Sequence, residues 1–167
     1  LYLRRPGLVR AWIWKTGASV WHEIQTPSLP MDVAFSPDGE ACVVICGDGA
    51  VLRVSADGTR SELGRHPGSM TYGYLLPRQM LDFSSQDTFL TAGVGNSVCV
   101  WSLEGSLLAR IRRKARARDA VISADGKVVA IAWTDGVATV HNSEGDEFLE
   151  PLHHPDQLFS VALDPSG

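Results

Sequence analysis

Short apolar dashes separated by tight turns run the whole length of the chain, and they recur in a fixed order. Residues 27–63 show the unit most plainly. "MDVAFS" reads as a strand. "SPDG" is a turn: Pro at its second position presets φ, and Gly closes it. "ACVVIC" is a second strand, rich in β-formers. The "GDG" that follows is a hairpin signal, since Asp-Gly accepts the positive φ of a tight two-residue turn. "VLRVS" is a third strand, "ADG" a further turn, and "TRSEL" a polar fourth strand. Four strands on short turns predict an antiparallel meander. Their apolar content falls from first to fourth, so burial is expected to fall the same way.

The unit repeats. Aligned on the residue that ends each first dash, the landmarks are Phe35, Phe83, Ile122 and Leu163, with steps of 48, 39 and 41. A second landmark in the third strand falls at Trp12, Val54, Trp101 and His141, with steps of 42, 47 and 40. Two landmarks with one period predict a repeat architecture. Fifteen strands follow from this register, and "LYL" offers a sixteenth. A helix has support only over 110–119, the one helix-length window free of turn residues. A twisted four-stranded sheet cannot bury both faces alone. Sheets stacked about an axis bury them against one another, which is the β-propeller arrangement. The expected fold is therefore all-β, a β-propeller of four-stranded antiparallel blades. Three blades are complete and two are partial, with boundaries near 1–26, 27–63, 74–111, 117–152 and 153–167.

The residues resemble WD repeats. "VAFSPDG" at 33–39 matches the family phrase unchanged, and "GLVRAWIWKTG" keeps Gly7, Val9, Arg10, Trp12, Thr16 and Gly17. Asp48-Gly49 and Asp135-Gly136 fill the second hairpin, and His154 stands nine residues before Leu163, at the spacing of the family's Gly-His histidine. The resemblance covers essentially the whole chain. It implies a fragment of a seven-bladed propeller, with a four-bladed ring closed by the last strand as the alternative. An open arc would leave its terminal sheets uncovered and prone to self-associate. The family's signature Trp-Asp pair is absent: the pairs here are Trp12-Ile13, Val54-Ser55, Trp101-Ser102 and His141-Asn142. The family's buried His, Ser/Thr, Asp and Trp set is thus incomplete in every unit. His66, 17 residues before Phe83, is not expected to substitute. Apolar packing should hold the blades.

Composition adds little to this picture except through charge. The apolar fraction of 44% and charged fraction of 20% are those of an ordinary globular chain. The longest apolar runs, "ACVVIC" and "VVAIAW", are far too short to span a bilayer as a helix. Cys42, Cys46 and Cys99 have no framework spacing and read as reduced core residues, which implies a reducing, cytoplasmic compartment. No catalytic set is legible, and no metal or cofactor is expected. "GVGNS" at 93–97 lacks the third glycine and following helix of a dinucleotide loop. "HHPD" at 153–156 offers ligand types without further ligands in spacing, and reads as a turn.

One stretch stands apart. Residues 110–118, "RIRRKARAR", hold six cations, so the remaining residues, with nine cations against nineteen acids, carry −10. A basic strip on an acidic body suits a negative partner. It is read as the connection between a fourth strand and the next first strand, with Arg112, Arg113 and Lys114 as candidate contacts. The resemblance implies that partners dock on the top face. By register its contact positions are Met31 and Leu29, Gln79 and Pro77, Arg118 and Arg116, Phe159 and Gln157, together with Arg5, Gly47, Val94 and Thr134. Arg116, Arg118, Met31 and Phe159 are the strongest, being the large apolar and Arg side chains that dominate interfaces. The expected function is a non-catalytic scaffold binding a protein or peptide, acidic in character. Nucleic acid is disfavoured, because few aromatics lie among the cations and the total charge is −4. No membrane is implied. Two rivals stand beside it: a regulatory or sensor region of a larger enzyme (kinase, protease or NTPase-linked), and an enzyme with polar groups lining a propeller channel.

Overall fold

The computed structural model describes residues 7–15, 18–67, 81–93 and 95–164, with the side chains of 9–22 outside the description. Every regular element among them is a strand. A hairpin of β1 (Gly7–Lys15) and β2 (Ala18–Thr26) comes first. Blade 1 follows: β3 (Pro30–Phe35), β4 (Ala41–Cys46), β5 (Ala50–Ser55) and β6 (Arg60–Arg65). Blade 2 is β7 (Leu81–Phe83), β8 (Thr88–Ala92), β9 (Ser97–Ser102) and β10 (Leu107–Arg112). Blade 3 is β11 (Ala117–Ile122), β12 (Val128–Trp133), β13 (Val137–Asn142) and β14 (Leu152–His153). Within each blade the strands lie side by side in chain order, all antiparallel. The fold is all-β and built of consecutive four-stranded blades.

The repeated phrase closes the first turn of each blade. In blade 1 the Ser36 hydroxyl donates to Asp38 at 2.6 Å and accepts from the Ala41 N–H at 3.0 Å. In blade 3 Ser123 does the same with Asp125 at 2.7 Å and the Val128 N–H at 2.9 Å. These bonds hold the Asp38 and Asp125 carboxyls below the usual carboxylate range. Gly39 and Gly126 take φ of 72° and 75° there. Blade 2 reads "SSQD" instead, and Asp87 adopts φ 56° in the glycine's place, which Asp tolerates better than most residues.

Burial differs from the expected gradient. In blades 1 and 2 the second and third strands are the most buried, with all of β4 and nearly all of β9 inaccessible; in blade 3 the second strand β12 leads, and the first strand β11 is more buried than the third, β13. The reason is that middle strands are paired on both edges and covered on both faces. Val43 and Ile45 of β4 pack toward blade 2, with Leu81, Phe89 and Trp101. Cys42, Val44 and Cys46 pack toward the hairpin, with Ile24. Blades 2 and 3 meet through Leu90, Val98, Val100 and Ile111 against Ile122, Val129, Ile131 and Trp133. The first strand of blade 1 is more open, with Val33 and Phe35 43% and 47% exposed.

Other expectations are also corrected. Fourteen of the fifteen strands form; "LYL" lies outside the described residues. Residues 157–164, which carry Leu163, join no ladder among the described strands. No ladder joins them to β1 or β2, so the described strands form no closed ring. Blade 3 runs through His153 rather than ending at 152, and blade 1 through Arg65 rather than 63. The 110–119 window is strand at both ends, not helix.

His66 is the plainest correction. Its ring is 3% exposed, and its Nδ1 lies 2.8 Å from the Thr91 hydroxyl, which accepts the Trp101 indole N–H at 2.9 Å. Sequence distance to Phe83 did not matter. What fixes His66 is its own N–H, donated to the Gly49 carbonyl at 2.7 Å. Blade 3 builds a similar hub from different positions. Thr139 accepts from the Trp133 indole at 2.8 Å and faces His141 Nε2 at 2.9 Å. His141 Nδ1 meets the Gly145 carbonyl, which can only accept, so Nδ1 carries the proton and Thr139 donates to Nε2. The blades are thus held by buried polar hubs as well as by apolar packing.

First strands are also stapled to one another. Asp32 accepts the Leu81 N–H at 3.1 Å, Asp82 the Ile122 N–H at 3.0 Å, and Asp119 the Val161 N–H at 3.1 Å and the Ser160 hydroxyl at 2.8 Å. Each reaches from one unit to the next. Measured from the landmarks, Asp32 and Asp119 use one register, and Asp82 uses it shifted by two residues, one full pleat. Such charge-assisted bonds are worth about 1.5–3 kcal/mol each. Asp82→Ala should therefore lower unfolding stability by roughly that amount, with Asp82→Asn costing less; urea titration measures both.

His66 supplies a pH prediction. Burial first, and the Arg110 charge second, push its pKa down to about 4. The folded state thus takes up the proton less readily than the unfolded chain. The associated stability is full above about pH 6.5 and declines as pH falls toward 4, by up to about 3 kcal/mol. His141 is lowered too and adds in the same direction. His66→Gln should flatten the decline of urea-measured stability between pH 6.5 and 4 without abolishing it. An unchanged slope would contradict a buried neutral His66.

Candidate docking face

An up-and-down meander puts its connections at two ends. Turns from first to second and third to fourth strands share one end. Turns from second to third strands, and connections from one blade to the next, share the other. Hydrogen bonds knit this second end together: Gly47 N–H to Leu29 O at 2.7 Å, Thr134 N–H to Arg116 O at 2.9 Å, and His154 N–H to Gly136 O at 2.8 Å.

Most of the candidate residues lie here. Arg116 and Thr134 are adjacent, since the Arg116 N–H also donates to the Thr134 hydroxyl at 3.2 Å. Arg113 forms an ion pair with Asp135 at 3.0 Å, tying the connection to the next blade's hairpin. Arg118, on β11, places its guanidinium 5.1 Å from the centre of the Phe159 ring, which is 61% exposed. Such a contact is worth about 0.5–1 kcal/mol at an exposed site. Arg116, Thr134, Arg118 and Phe159 are therefore gathered around blade 3. Met31 is not among them. It sits on β3 of blade 1, half-buried against that blade's core, on the wall of a shallow groove with Leu8, Pro30, Asp32 and Val33. Arg5, Pro77, Gln79 and Val94 fall outside the described residues.

The basic run is less of a loop than expected. Arg110 and Arg112 belong to β10 and Arg118 to β11, so only 113–116 connects them. Its six cations divide. Arg113 is paired with Asp135 and Arg118 rests on Phe159. Arg110, Arg112, Lys114 and Arg116 are exposed and make no ion pair among the described residues. Asp135 went unrecognised in the sequence because its Asp-Gly dipeptide is fully accounted for by the turn. The staples Asp32, Asp82 and Asp119 had a readable signal: each is an acid inside an apolar first strand, where no charge is expected without a partner.

The remaining reactive groups are structural in placement. Cys42, Cys46 and Cys99 are free and buried. Burial pushes their thiols up to about 11, 11 and 12, which holds them protonated. His154 is exposed, its Nδ1 accepting from the Asp156 N–H at 3.2 Å. Among the described residues no group of three or more His, Cys, Asp or Glu is placed to hold a metal, and no helix is long and apolar enough to cross a membrane.

The fold defines a class: consecutive four-stranded blades of the β-propeller kind, here with a cationic connection between two of them. No protein-family model matches the chain, and no curated protein matches it.

Arg113 and Asp135 are each partly exposed, so screening limits their attraction. A double-mutant cycle with Arg113→Ala and Asp135→Ala should return a coupling of about 0–1 kcal/mol that shrinks as salt rises. A larger coupling, insensitive to salt, would mean a buried pair.

Proposed function

We propose that this chain is a non-catalytic interaction scaffold of the WD-repeat type, which docks a protein or peptide of acidic character on the end of the blades that carries the cationic connection. The observation that carries this reading is the gathering of Arg116, Thr134, Arg118 and the exposed Phe159 ring at that end, beside cations that form no ion pair among the described residues. An exposed aromatic next to Arg is the composition that interface hot spots favour. Free buried thiols favour a reducing, cytoplasmic setting.

The test is capture of a partner from lysate, followed by titration of that purified partner against variants. Arg116→Ala and Phe159→Ala should each weaken it by about tenfold, in the range of a hot-spot truncation, and binding should weaken as salt rises. Lys127→Ala is the control, since Lys127 sits in a turn at the opposite end, paired with Asp125. A partner indifferent to Arg116, Phe159 and salt would refute the reading.

A further inference from the structure

The acidic partner proposed above is defined more narrowly by β10. Exposure alternates along the basic run. Arg110, Arg112, Lys114 and Arg116 face solvent, while Ala109, Ile111 and Ala117 are buried and Arg113 and Ala115 are half-buried. Four unpaired cations thus recur at every second residue, Arg110 and Arg112 on β10 and Lys114 and Arg116 in the bent link that follows it. At about 3.3 Å per residue along the strand, Arg110 and Arg112 stand roughly 6.6 Å apart.

The backbone of the same strand is open. β10 is the outermost strand of blade 2, and among the described strands it pairs with β9 alone. Arg113 donates its N–H to Asn96 O, and Arg110 and Arg112 stand opposite Cys99 and Ser97. In an antiparallel ladder the hydrogen-bonded positions alternate. Arg113 and Ile111 therefore turn their amides toward β9, and Arg110 and Arg112 turn theirs to the free edge. Neither makes a further hydrogen bond among the described residues.

The geometry points to β10 as a strand-addition site for an extended acidic peptide whose Asp, Glu or phosphorylated residues occupy alternate positions. The peptide extends blade 2 by a fifth strand. Its backbone bonds the free N–H and C=O groups of Arg110 and Arg112, and its acids stand beside their side chains on the same face. Past the end of β10 the chain bends, and Lys114 and Arg116 add positive charge beside the strand. Period two on the receptor selects period two on the ligand. The −10 carried by the rest of the chain disfavours the same peptide elsewhere. The outer strand of blade 1 differs: on β6, Arg65 is already paired with Glu62 at 3.0 Å and Asp48 at 3.1 Å, and Arg60 donates to the Gln25 carbonyl. Charged edges also repel unwanted strands. An edge of one sign repels its own copy and admits its complement, so protection and recognition are compatible here.

This inference rests on the scaffold reading, and one experiment separates the two. The probe is a fluorescent peptide alternating glutamate with valine and threonine, titrated by anisotropy against the whole chain. Comparison ligands are the same composition with glutamates in one block, the alternating peptide N-methylated on its edge-facing amides, and a single-stranded oligonucleotide. The alternating peptide should bind best, with blocked and N-methylated versions weaker by about tenfold or more, as two cross-strand charge pairs and lost backbone bonds imply. Arg110→Glu with Arg112→Glu should abolish the preference while leaving the far-UV spectrum unchanged, both residues being exposed. Equal binding of the blocked peptide or the oligonucleotide, retained binding after N-methylation, or no binding of any peptide overturns strand addition. If Arg116 and Phe159 variants still weaken a captured partner while Arg110 and Arg112 variants do not, the scaffold reading stands and this one falls.

Discussion

Everything in this molecule follows from sheets that are apolar on both faces. β4 shows it in six residues. Its odd positions pack on blade 2 and its even positions on the β1–β2 hairpin, so it reads as an unbroken apolar run with no polar side. A strand of this kind is stable only between two neighbours. The blades must therefore stack face to face, and each stacking surface becomes the core of two units at once. Gly64 marks how close they come. A Cβ there would lie 2.8 Å from the Trp101 ring of the next blade, so the outer strand of blade 1 lies almost flush against blade 2.

Stacking by apolar faces alone would leave the blades free to slide. Two kinds of polar contact oppose that. The first-strand aspartates accept backbone N–H groups of the following unit and fix one first strand against the next. The threonine hubs then fix what lies within and beside each blade: Thr91 joins His66, at the exit of blade 1, to Trp101 of blade 2, and Thr139 joins two strands inside blade 3. A hydroxyl can accept one proton and donate another, so it can join an indole to a neutral imidazole without burying charge. With the sheets fixed, the connections at one end are fixed too, and the cations of 110–118 acquire defined positions on a strand, a short link and the next strand.

Much of this was legible in the chain. Turn chemistry and period gave the strands within a few residues, because Pro, Gly and Asp mark where the backbone must reverse. Three features were not legible. The burial order failed because apolar content reports what a strand could bury, whereas coverage depends on how many neighbours it has. His66 was misjudged because a long connection changes sequence spacing without moving the residue that precedes it. The basic run was read as a loop because charge suggests exposure, and an outer strand is exposed on its rim while still laddered on its inner edge. Arg118 and Phe159 were both named by register, but their contact was visible only once 157–164 lay along β11.

Among the described strands β10 is anchored on one side, by β9, and open on the other. Amide hydrogen exchange resolved by residue tests this directly. The account predicts that β4 and β9 amides exchange most slowly. Along β10, Ile111 should be protected while Arg110 and Arg112 exchange quickly. Uniform protection along β10 would mean that its outer edge is already covered. Rapid exchange in β4 would mean that the blades are not packed face to face, and would contradict the account at its root.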